Sequence, residues 1–121
     1  MTRAQKIDLV IPVYNEEANL SVLFEHLRTD LASLSCAWRV ILVDDGSHDR
    51  SWELIAAAAR QDPRFHGVRL GRNYGQHAAI FAGFSRCDAD AVITLDADLQ
   101  NPPAEISKLV GKFDEIGRAH V

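Results

Sequence analysis

Ala91-Val92-Ile93-Thr94-Leu95-Asp96-Ala97-Asp98-Leu99-Gln100 is a short β-rich run that breaks into two carboxylates one residue apart. An apolar run of this length, closed by polar residues, is the pattern of a buried strand. In an extended or turn segment, residues i and i+2 point to the same side. Asp96 and Asp98 therefore face one point, where like charges repel unless a cation lies between them. A hard divalent ion, Mg²⁺ or Mn²⁺, is the natural occupant, and such ions are commonly shared with phosphate-bearing substrates. Gln100 adds a neutral oxygen on the same rhythm.

Three more runs of the same kind precede it: Ile7 to Val13, Trp38 to Val43 and a weaker Phe65 to Leu70. Between them lie helical patterns. Leu20, Leu23, Phe24, Leu27, Leu31 and Leu34 recur at i, i+3, i+4, i+7 spacing, and Trp52, Ile55, Ala56 and Ala59 mark a second helix. That helix is expected to stop at Asp62-Pro63, because the residue before proline disfavours the helical region. A third helix is expected over Gln76 to Ser85. A fourth opens at Asn101 with Pro102-Pro103 and has a core face of Ile106, Leu109, Val110 and Phe113. Strands alternating with helices predict an α/β fold with a mostly parallel sheet. Pro12 is tolerated only near the end of its strand.

Each run ends in a polar motif: Tyr14-Asn15-Glu16, Asp44-Asp45-Gly46-Ser47, Gly71-Arg72-Asn73 and Asp96 to Gln100. Open parallel sheets bind their ligands at the carboxyl ends of the strands, so four such motifs together predict a site. Each motif also has a simpler structural reading. Ser47 or Asp49 can cap a helix, Asn15-Glu16 can begin one, and Arg72 can be a solvated cation. Beside several carboxylates Arg72 suggests pairing or diphosphate binding. His77 is left open between solvated and ligand-contacting roles. His26, His48, His66 and His120 have no metal-ligand spacing and read as structural or exposed.

The whole chain sets further limits. Its 121 residues suit one compact domain, and the formal charge of -4 argues against non-specific nucleic-acid binding. No apolar run approaches a membrane span and no secretory signal is visible. Cys36 and Cys87 fit neither a disulfide framework nor a metal site, so free buried thiols in a reducing compartment are expected. There is no GxxxxGK[ST], no GxGxxG and no GxSxG, which removes P-loop, dinucleotide-binding and serine-hydrolase readings. A haloacid-dehalogenase DxD belongs after the first strand. A response-regulator receiver carries its Asp pair after the first strand and a lysine at a later one, and neither feature is present.

Val10-Ile11-Pro12-Val13-Tyr14-Asn15-Glu16, Val43-Asp44-Asp45-Gly46-Ser47 and Leu95-Asp96-Ala97-Asp98-Leu99-Gln100 together resemble family 2 glycosyltransferases of the GT-A fold, from about Lys6 to Asp114. Asp96 to Gln100 followed by Asn101-Pro102-Pro103 is similar to the polyprenyl-phosphate glycosyltransferases. Arg72-Asn73-Tyr74-Gly75-Gln76-His77 narrows the resemblance to members acting in lipid A or cell-envelope glycan modification. The resemblance implies a Rossmann-like GT-A nucleotide-binding half and inverting transfer of a sugar from a UDP-sugar to undecaprenyl phosphate. It implies that Asp96, Asp98 and Gln100 hold Mg²⁺ or Mn²⁺, with Asp96 and Asp98 the catalytic pair. Pro12, Tyr14, Glu16 and one of Asp44 or Asp45 then cradle the nucleoside, and Arg72 lies near the phosphates. Another donor or acceptor, as in relatives of dolichyl-phosphate mannose synthase, is the alternative. A receiver-like binding domain is the distant one.

The chain departs from that family after its fourth helix. Residues 1–115 are expected to be the N-terminal, nucleotide-sugar-binding part of a truncated domain. Ile116-Gly117-Arg118-Ala119-His120-Val121 abandons the helical spacing and is expected to be a non-native tail. The expectation is a soluble, cytoplasmic fragment that binds donor without turnover. The full-length protein would lie on the cytoplasmic face of the inner membrane, with the acceptor met by the missing part; its oligomerisation is left open.

Overall fold

A computed structural model describes residues 6–98 of the chain. Four strands, β1 (Lys6–Val13), β2 (Ala37–Asp44), β3 (Phe65–Arg69) and β4 (Ala91–Thr94), form one sheet in the order β3-β2-β1-β4. Every pairing is parallel, with Val10 opposite Ile41 on one side and Thr94 on the other. Helices α1 (Glu17–Leu31), α2 (Ser51–Gln61) and α3 (Gln76–Phe84) connect them. The boundaries read from the sequence agree to within one or two residues except at the end of α1, whose expected face runs three residues further, to Leu34; the predicted helix at Asn101 lies outside the described residues.

The two central strands, β1 and β2, are buried on both faces, as the inner strands of a parallel sheet are, while the edge strands β3 and β4 are partly exposed. Ile7, Leu9, Ile11 and Val13 join Val40 and Leu42 beneath Leu20, Leu23, Phe24, Leu27 and Leu31 of α1 in the larger core. Val10, Ile41 and Val43 face the opposite side, where α3 contributes Ala79. Leu34 lies beyond the end of α1 but still packs against the larger core, its N–H bonded to the Leu31 carbonyl. In α2 the buried stripe is Ser51, Ile55 and Ala58 instead of one led by Trp52. Trp52 is only half-buried because it leans over the edge strand, against Gly67 and under the Arg69 guanidinium.

Pro12 sits in a central strand, which its missing N–H would seem to forbid. The ladder between β1 and β4 ends at Val10–Thr94, and Leu95 N–H bonds to Val10 O. Pro12, two residues on, shares the parity of Val10, so its nitrogen faces a side where the paired strand has ended. Nothing is lost.

At the amino ends of the strands, a fully buried Asp8 is held by Arg39 through two hydrogen bonds of 3.1 and 2.9 Å. Arg39 also donates to the Arg86 carbonyl at 2.7 Å. The hydrogen bond to Asp8 outweighs burial and holds the guanidinium pKa above its usual value. Neither Cys36 nor Cys87 forms a disulfide, and both are half-buried where burial was expected. Burial, with the Asp8 carboxylate adding to it, pushes the Cys87 thiol up to about 11. No helix among the described residues is long and apolar enough to cross a membrane.

Candidate functional site: an acidic cleft at the sheet switch point

The strand order reverses direction between β1 and β4, and the crevice outside such a switch point is where open α/β sheets take ligands. A cleft of about 370 Å³ opens there. Pro12, Val13, Tyr14 and Glu16 line it from the end of β1, Asp45 from the end of β2, and Asn73, Gly75 and Gln76 from the start of α3. Asp96, Ala97 and Asp98 line it from the end of β4. The structure thus brings Pro12, Tyr14, Glu16, Asp45, Asp96 and Asp98 together. Gln100 lies outside the described residues.

The segment after β4 keeps the alternation of a strand. Leu95 and Ala97 are buried, at 7% and 4% exposure, while Asp98 is exposed and Asp96 half-exposed. The apolar residues anchor the turn and leave both carboxylates to the cleft. Gln76 Nε2 approaches Asp96 Oδ1 at 3.5 Å, the outer limit of a hydrogen bond.

Asp44 and Asp45, open alternatives in the sequence, separate here. Asp44 shares the parity of Val40 and Leu42, so it points under α1 and α2. It is fully buried there; Oδ1 accepts the Ser47 N–H at 3.3 Å, and Oδ2 has no hydrogen-bond partner among the described residues. The nearest cation is Arg69, whose Nε lies 3.9 Å from Oδ2. Asp45 points to the other side, into the cleft wall. Arg72 is not among the cleft-lining residues; its guanidinium stacks on the Tyr74 ring, 4.9 Å from the centroid. His77 is exposed and also outside the lining. His48 is exposed and meets Tyr14 edge-on, with ring centroids 6.4 Å apart.

The loop from Asp45 to Ser51 organises the β1 side of the cleft. α1 has no side-chain cap of its own. Instead the N–H groups of Asn15, Glu16 and Glu17 donate to Ser47 Oγ, Ser51 Oγ and Asp49 Oδ2 at 2.9, 2.9 and 3.2 Å. In return His48 N–H donates to Asn15 Oδ1 at 2.8 Å, which holds Asn15 at φ +52°. Burial raises the Asp49 pKa, but the hydroxyl and amide of Ser51 and the amide of Glu17 outweigh it and hold the carboxyl below its usual value. Asp49 thus caps in two directions, since its Oδ1 also accepts the Ser51 N–H at 2.9 Å.

Asn73 belongs to a strand-end motif that the sequence marked, whereas Gly75 and Gln76 were missed as lining residues. The available signal was a glycine directly before an apolar helix, at the end of a strand whose neighbours all end in polar motifs.

Four carboxylates line the cleft (Glu16, Asp45, Asp96 and Asp98), and among the described residues no arginine or lysine does. No group of three or more His, Cys, Asp or Glu among the described residues is placed to hold a metal ion. The carboxylate oxygens of Asp96 and Asp98 are donors that suit a hard cation held by one or two carboxylates and completed by ligand phosphates, the usual manner of Mg²⁺ binding.

Comparison with known proteins agrees with this geometry. The model of glycosyl transferase family 2 matches residues 8–121. The chain is 54% identical over 112 residues to undecaprenyl-phosphate 4-deoxy-4-formamido-L-arabinose transferase of Salmonella choleraesuis, covering 92% of this chain and 34% of that protein. The chain thus spans about a third of the length of the curated relatives it matches. Glucosyl-3-phosphoglycerate synthase of Mycobacterium tuberculosis has been solved with UDP. It superposes with a TM-score of 0.72 at 24% identity, over 91% of this chain and 40% of that one. A second structure of that enzyme, with Mn²⁺, UDP and glucosyl-3-phosphoglycerate, gives 0.68 at 23% identity, over 88% and 39%. These likenesses show a shared fold, the Rossmann-like GT-A half that the motifs led one to expect.

Proposed function

The chain belongs to glycosyl transferase family 2, and from that membership we propose that it supplies the donor cleft of a transferase moving a sugar from a UDP-sugar to a polyprenyl phosphate. The name of the Salmonella relative supports undecaprenyl phosphate as acceptor; lipid A or envelope glycan modification as setting rests on the sequence resemblance alone. One observation carries the reading: an acidic cleft, lined by no arginine or lysine among the described residues, at the switch point of a parallel sheet.

In this proposal Pro12, Tyr14 and Glu16 form the nucleoside wall, with Asp45 behind it. The half-exposed Tyr14 ring offers a flat apolar face, and Glu16 an acceptor for ribose or base donors. Its Oε2 is steadied by the Asn19 side-chain amide at 2.7 Å. Asp96 and Asp98 would hold a divalent cation, and the Mn²⁺ in the mycobacterial enzyme's complex supports a cation in this fold. The chemistry such an ion supplies is neutralisation of the diphosphate and Lewis-acid stabilisation of the departing UDP. Without it, a diphosphate entering among four carboxylates is repelled by them. The acceptor phosphate is already anionic and attacks the anomeric carbon with inversion, so these residues need supply no strong general base.

An azido-UDP photoprobe tests the site. In the presence of Mn²⁺ it is expected to label peptides carrying Tyr14 to Glu16 or Asn73 to Gln76. Labelling confined to other peptides contradicts the assignment.

A further inference from the structure

The start of α3 has no cap from its own loop. Gly75 stands at φ +102°, and the residues before the helix lean instead on Asp45, about thirty residues earlier. The Tyr74 N–H donates to Asp45 Oδ1 at 2.8 Å and the Gly75 N–H to Oδ2 at 3.0 Å. The Asn73 side-chain amide donates to Oδ2 and to the Asp45 carbonyl, both at 3.2 Å. Three of the acceptor sites of this carboxylate, only 3% exposed, are thus taken by the loop. The turn that carries it also presses on the same loop, for a Cβ on Gly46 would stand 2.4 Å from the backbone of Arg72 and Asn73. Gln76, the first residue of α3, reaches toward Asp96.

We propose that Asp45 is a positioning residue: it fastens the Asn73–Gly75 loop and so sets the first turn of α3, with Gln76, against Asp96. The loop after β2 then holds both walls of the cleft. Ser47, Asp49 and Ser51 fix the start of α1, and Asp45 fixes the start of α3. The fastening stands on geometry alone; its consequence for ligands rests on the donor-binding reading.

Amide exchange of the 121-residue chain without nucleotide tests the fastening. In Asp45→Asn the amides of residues 74–79 are expected to exchange at least about tenfold faster, the scale of a lost charge-assisted hydrogen bond. Those of Leu9 to Val13 stay unchanged. Asn73→Ala, an exposed position, gives the same pattern at about threefold, and keeps the test open if Asp45→Asn fails to fold. Asp45→Glu restores part of the protection. In calorimetry with UDP and Mn²⁺, affinity falls in the same order as protection, through loss of its metal-dependent part. Unchanged exchange at 74–79 with lost UDP binding would make Asp45 a direct ligand and overturn the proposal. So would faster exchange spread evenly through β1. If the chain binds no UDP at all, the donor-binding reading fails while the exchange result still decides the role of Asp45 in the loop.

Discussion

A Cβ built on Gly46 would stand 2.4 Å from the backbone nitrogen of Asn73, in a turn where Gly46 itself adopts φ +73°. Two constraints meet at that residue, one conformational and one steric. Gly46→Ala is expected to cost about 1–3 kcal/mol in backbone strain and a further ~1–3 kcal/mol from overlap with a backbone that has no rotamer to change. Gly75 separates the two, because its φ is +102° but a Cβ there meets nothing within 4 Å. Gly75→Ala should therefore show only the strain. Urea denaturation of both variants checks this, and equal losses would show that the Gly46 contact relaxes freely.

Arg39 and Asp8 predict a second asymmetry. Asp8 is fully buried and Arg39 half-buried, its side chain 20% exposed. Removing the arginine alone leaves a buried carboxylate unpaired, so Arg39→Met is expected to cost about 3–5 kcal/mol. Replacing both, as Asp8→Leu with Arg39→Met, should recover most of that loss. Thermal or urea unfolding measures both, and a double variant no better than the single one contradicts the pairing account.

The capping role of Asp49 predicts a pH dependence. Its folded pKa lies below the ordinary 3.8. Stability from this group is therefore fully present above that value and is lost as pH falls through the lower, folded pKa. Asp49→Ala should be less stable than the parent at pH 7, and the gap should close as the solution is acidified. A gap of constant size down to acid unfolding would mean that the charge of Asp49 contributes nothing.

For Ser51 the expectation is a local cost. Its hydroxyl is buried and accepts the Glu16 N–H, so Ser51→Ala orphans a donor at the cleft edge and should cost about 1–3 kcal/mol. Denaturation midpoints measure it, and a neutral substitution would show that water replaces the hydroxyl.

Much of this architecture can be read from the chain. Parallel strands buried on both faces appear as continuous apolar runs, so Ile7 to Val13 and Trp38 to Val43 stand out. Their polar endings mark the ligand edge before any fold is known. What cannot be read locally is which side of the sheet a residue faces once a strand ends. Asp44 and Asp45 are adjacent and identical; only the parity of β2 turns one beneath the helices and the other toward the cleft. The clasp is hidden for another reason. Ser47, Asp49 and Ser51 look like caps for the helix that follows them, whereas two of the three serve α1, and Ser47 the Asn15 amide just before it, across separations of more than thirty residues. Asp8 was legible in principle, as a lone carboxylate inside an apolar strand that must find a cation; its partner was not.

The central claim is that Asp96 and Asp98 make an acidic cleft into a nucleotide site only with a divalent cation. Calorimetric titration of UDP into the chain, with and without Mn²⁺, tests it most directly. Binding is expected with the ion and not without it. Asp98→Asn should weaken the metal-dependent binding by more than about tenfold, the scale of one lost charge-assisted contact. Equal UDP affinity in the presence of a chelator, or an Asp98→Asn variant that binds as the parent does, would contradict the account.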